Sequence, residues 1–147
     1  MTHSPHWPLI LGGVIPALLL GVFSILVKAS GKHGMGTAPF LMAIGLSIAL
    51  SAGLAWWFNT PKTCTAWGLT YTILAGIIWA VSQMMILYSI NHYGVPVSKL
   101  VPLFNMNTLV AVVLGLLIFV EWKDVNLWQL GLGAILVTVG GILVARA

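Results

Sequence analysis

Acidic residues are nearly missing from this sequence. The 147-residue chain has two, Glu121 and Asp124, against six lysines and arginines, and charged residues make up only 5% of it. Both carboxylates fall at the end of one apolar run, so there is no buried acidic pair for general acid–base work. Proton coupling through a mid-membrane carboxylate cannot be built from this chain alone. The basic residues are scattered rather than clustered, which excludes a nucleic-acid surface. The single cysteine, Cys64, cannot form an internal disulfide and has no metal-ligand companion. His3 and His6, in the polar N-terminal tail, lack a third ligand and read as solvated. Serines and histidines occur without an aspartate partner pattern, and no glycine-rich loop follows a strand. Enzyme chemistry, a cofactor and a metal are therefore not expected.

What fills the sequence instead is apolar. Hydrophobic residues make up 60% of the chain and the mean hydropathy is +1.07, far from a soluble domain with roughly 25% charged residues. The reading is an all-α integral membrane protein with five transmembrane helices. Since one crossing takes about 20 apolar residues, the runs predict spans at about 9–28, 38–58, 66–91, 99–120 and 125–145 in a single membrane domain over 1–147. The first run lacks a basic n-region and a small-residue cleavage site, so it reads as a retained span rather than a signal peptide.

Polar and backbone-breaking residues inside these runs are the candidates for function, because polar groups at membrane depth need partners. Gly12, Gly13 and Pro16 should bend the first helix or let another backbone approach closely. Thr72, Gly76, Trp79 and Gln83 follow at steps of four, three and four, which puts them on one helical face. The flat Trp79 ring beside the Gln83 amide suits a small polar organic solute, and it suits a packed helix interface equally. The stretch from Gly94 to Glu121 carries Pro96, Lys99, Pro102, Asn105 and Asn107 before it becomes uniformly apolar. Lys99 either opens into a proline-broken vestibule or snorkels to water, as Lys28 does near the end of its span. Asn105 shares a face with Thr108, Val112 and Gly115, while Asn107 lies about 160° away on an ideal helix. Either asparagine faces a solute or bonds a neighbouring helix. Gly131, Gly133, Gly140 and Gly141 suit close helix packing in the last span, and Trp56 and Trp57 suit an aromatic belt.

Five crossings put the termini on opposite sides. Lys62 and Lys123 then fall on one side, Lys32 and Arg146 on the other, with Lys28 and Lys99 near the second, so the positive-inside bias is weak. Insertion in both orientations follows, and an antiparallel pair would reproduce the inverted repeats of larger transporters.

Several motifs resemble a known family. Gly21 followed by Lys28, the segment GIIWAVSQMMILYSINHYGVPVSKLVPLF with Pro102, Glu121 closing the fourth span, and Gln129-Leu130-Gly131 followed by Gly140 are similar to one five-span, EamA-like half of the drug/metabolite transporter superfamily. Trp79-Ala80 and the FVEW end of the fourth span are similar to its sugar-uptake branch. The likeness covers nearly the whole chain, and it implies one half of an inverted-repeat transporter fold, completed by a homodimer or a homologous half.

The expectation is a multi-pass transporter subunit in the cell (inner) membrane that moves a small-molecule solute through the lipid bilayer by alternating access. Trp79, Gln83, Lys99, Asn105 and Asn107 are the candidate solute-binding residues, and Gly12, Gly13, Pro16, Pro96 and Pro102 the hinges. The alternative is a non-transporting accessory subunit whose polar residues only hold helices together.

Overall fold

The computed structural model describes residues 7–58, 61–123 and 125–147. The expectations for His3, His6, Asp124 and the Glu121 side chain fall outside them. Among the described residues the secondary structure is helical throughout, with no strand. Five helices are long and apolar enough to cross a membrane: α1 (Trp7–Lys32), α2 (Thr37–Trp57), α3 (Ala66–Tyr93), α4 (Val97–Ile118) and α5 (Leu127–Arg146). The largest departure from the expected spans is at α1, which runs past Lys28 to Lys32. Leu and Ile line all sides of these helices, and most are exposed within the chain. Apolar surface of that extent must be covered by lipid or protein.

Helix ends follow local chemistry. Gly34 adopts φ +79° after α1, where the Met35 N–H reaches back to Ser30 O at 3.1 Å. Gly94 at φ +65° closes α3 in the same left-handed way, a conformation in which a side chain would be strained. Thr65 caps α3, its Oγ1 accepting from the Gly68 N–H at 3.2 Å. Asn126 caps α5, its Oδ1 accepting from the N–H groups of Trp128 at 3.1 Å and Gln129 at 3.3 Å. Beyond α4, Val120 stands at φ 60°, a costly region for a branched side chain.

Contacts cluster the helices into two units, α1–α3 and α4–α5. In the first, each helix gives one buried residue to a common cluster, Val27 from α1, Phe40 from α2 and Leu87 from α3, flanked by Phe23, Leu41, Ile44 and Ile90. Lipid tails are as apolar as these side chains, so this cluster is held by dispersion and fit rather than by escape from water.

In the second unit, α5 approaches α4 at Gly141. A Cβ there would sit 3.5 Å from Pro102 O and 3.6 Å from the Met106 side chain. The other expected packing glycines, Gly131, Gly133 and Gly140, face open space instead.

Candidate functional site

The expected solute-facing residues fall in both units, Trp79 and Gln83 in the first and Lys99, Asn105 and Asn107 in the second.

In the first unit, α1 and α3 run parallel, and residues spaced by four meet along their seam. The Trp79 ring lies 6.4 Å from that of Phe23, tilted by 40°. Leu87 and Val27 share the buried cluster. One turn further on, the Asn91 amide lies so close to Gly31 that a side chain at position 31 would collide with it. Trp79 remains 38% exposed, whereas Gln83 between these layers is 9% exposed and its Oε1 has no hydrogen-bond partner. The sequence places Thr72 and Gly76 on the same face, yet neither adds a free polar group. Thr72 Oγ1 donates to Gly68 O at 2.9 Å, and Gly76 meets open space. Asn91, by contrast, is missed by a reading of α3 alone, since the signal lies in the pairing of its register with Gly31.

At the start of α1 the backbone departs from α-geometry where Gly12, Gly13 and Pro16 predict it. Ile10–Val14 forms a π turn, and the Ile15 N–H bonds Ile10 O. Pro16 has no N–H to offer Gly12 O and its ring crowds that carbonyl, so widening the preceding turn relieves the clash.

In the second unit, Pro96 is extended (ψ 134°) and the chain turns directly into a helix, with the N–H groups of Lys99 and Leu100 donating to Pro96 O at 3.0 and 3.1 Å. Lys99 is half-buried in that first turn. The helix runs through Pro102 to Phe104 and is interrupted at Asn105 and Met106. The break thus falls later than the Pro96 to Pro102 segment in which it was expected. Pro102 deprives only Ser98 O of its donor. At the break, Asn105 O accepts both the N–H of Thr108 at 3.1 Å and its Oγ1–H at 2.9 Å. A side chain that competes for a backbone carbonyl in this way tightens the turn. Asn105 and Asn107 are both exposed. The angle between them on an ideal helix does not apply, because the helix is not continuous there.

An open groove between α4 and α5 is lined by apolar residues, among them Val112, Val113, Ala134 and Ile135. Its Thr138 spends its hydroxyl proton on Ala134 O at 2.9 Å. None of the five expected solute-facing residues lines it.

Apolar helices of spanning length, with polar residues set into their seams, define a multi-pass integral membrane protein. The chain belongs to the sugar transport protein family, whose profile matches residues 11–147. It is 33% identical over 131 residues to a protein of Lactiplantibacillus plantarum named "Putative sugar uptake protein", covering 87% of this chain and 44% of that protein. It is 31% identical over 131 residues to proteins of the same description from Listeria monocytogenes and Listeria innocua, covering 88% of this chain and 43% of each. The chain therefore spans less than half the length of these relatives. No solved structure matches it significantly. The family match supports the sugar-uptake branch of the resemblance drawn from the sequence.

Proposed function

We propose that the chain is a transporter subunit that moves a small polyhydroxylated solute of the sugar class across the cell (inner) membrane by alternating access. The observation that carries this reading is the family match across residues 11–147, with relatives named for sugar uptake. Chemistry at the α1–α3 seam supports it: Trp79 offers a flat apolar ring and Gln83 an amide one turn away, and sugars present an apolar C–H face edged with hydroxyls. Membership of the drug/metabolite transporter superfamily belongs to the same reading, as does assembly into an antiparallel homodimer or with a homologous half. Lys99, Asn105 and Asn107 are the candidate solute contacts of the second unit. The π turn at Gly12, Gly13 and Pro16, and the prolines Pro96 and Pro102, would serve as hinges where broken hydrogen bonds lower the cost of bending.

Uptake of labelled monosaccharides into proteoliposomes tests the reading. Wild-type protein should accumulate at least one of them, and Trp79→Ala should lower that uptake about tenfold or more, the scale of removing a buried aromatic contact, with unchanged reconstitution. Flux indistinguishable from empty vesicles would favour the accessory-subunit alternative.

A further inference from the structure

On α3 one stripe carries Trp79, Gln83, Leu87 and Asn91 at every fourth position; on α1 the facing stripe carries Phe23, Val27 and Gly31 at the same interval. Trp79 meets Phe23, Leu87 lies with Val27, and Asn91 rests on Gly31. The α3 stripe has one residue more than its partner, and Gln83 lies on it between Trp79 and Leu87.

Gln83 is nine-tenths buried, and its Oε1 lacks a donor. A buried amide carbonyl without a donor is costly, so native proteins supply one. Backbone N–H groups within the helices are engaged with their own carbonyls, and the side-chain N–H groups of Trp79 and Asn91 do not bond it. The serine hydroxyls of α1 and α3 are committed as well: Ser24 donates to Leu20 O at 2.9 Å, Ser30 to Val27 O at 3.0 Å, Ser82 to Ile78 O at 2.8 Å and Ser89 to Met85 O at 2.8 Å.

We infer that the Gln83 carbonyl is a donor-selective subsite, which takes a hydroxyl or N–H proton from the transported solute while the half-exposed Trp79 ring carries the solute's apolar face. The inference rests on the transport reading above and names the specificity of that site. A hydroxyl at the matching position of the solute acts there as a donor, so replacing it with an acceptor-only group is as harmful as deleting it.

The test is competition for uptake by the full chain in proteoliposomes, with D-glucose, D-xylose and D-ribose as probes and their deoxy and deoxyfluoro analogues as competitors. Fluorine accepts weakly and donates nothing. At one ring position, both the deoxy and the deoxyfluoro analogue should bind about three- to tenfold more weakly than the parent, the range for one neutral hydrogen bond. Gln83→Met should erase that difference, and Gln83→Glu, which keeps acceptor oxygens, should preserve it. If every needed hydroxyl can be replaced by fluorine without loss, the inference is overturned on wild-type protein alone, whatever the variants do. An analogue profile unchanged by Gln83→Met overturns it too, while leaving the transport function standing. Failure of wild type to take up any of the three sugars instead counts against the sugar-class reading.

Discussion

At the scale of the residue, the contact between Gly31 and Asn91 is the most sharply testable. A methyl group at position 31 would overlap the Asn91 amide unless that exposed side chain turned aside, which costs about 0.5–1.5 kcal/mol. Alanine in place of glycine inside a helix returns about 1 kcal/mol. Gly31→Ala should therefore be close to neutral in wild type and stabilising by about 1 kcal/mol in an Asn91→Ala background. Thermal unfolding in detergent should give a coupling of at least about 0.5 kcal/mol; additive effects would show that the two groups do not meet. Gly141 makes a milder case. Its closest neighbours lie at ordinary contact distance, 3.5 Å or more from a notional Cβ, so Gly141→Ala should be tolerated and Gly141→Leu should not. The sequence distinguishes such glycines poorly. Gly131, Gly133, Gly140 and Gly141 look alike in a list of small residues, and only the position of α4 separates them. The shared face of Trp79 and Gln83 was legible because that signal lies within a single helix.

At the scale of the element, the five spans could be read from composition, since hydropathy over about 20 residues is a sum that local detail barely alters. Where hydrogen bonds break inside a span could not be read as well. At Pro16 the π turn of Ile10–Val14 falls where a proline and two glycines act on neighbouring positions. In α4 the visible prolines drew the expected break toward Pro96–Pro102, whereas the turn tightens at Asn105–Thr108 through a threonine side chain bonded to the backbone. Thr108→Val should therefore restore continuous helix across Asn105 and raise amide protection there, measured by hydrogen exchange. Unchanged exchange at Met106 through Leu109 would rule out that cause. At the helix starts, Thr65→Ala and Asn126→Ala should each destabilise the protein by about 1 kcal/mol, with Thr65→Ser nearly neutral.

At the scale of the whole molecule, orientation in the membrane is the open quantity, because the lysines and arginines are shared so evenly. Cys64 is exposed in the connection after α2, and His33 is exposed in the connection before it. One crossing separates them, so an impermeant thiol reagent reports on opposite faces of the bilayer from native Cys64 and from His33→Cys in a Cys64→Ser background. Labelling of each from both sides supports an antiparallel pair, and strictly one-sided labelling of each overturns it. The parallel pairing of α1 with α3 also bears on how the protein is made. Positions that meet across the seam leave the ribosome about sixty residues apart, which at roughly 5–20 residues per second is a delay of several seconds. During that interval the Phe23, Val27 and Gly31 stripe faces lipid without its partner. The polar residues of the seam, Gln83 and Asn91, are on the helix synthesised later, so when they enter the bilayer the α1 stripe is already in place to receive them.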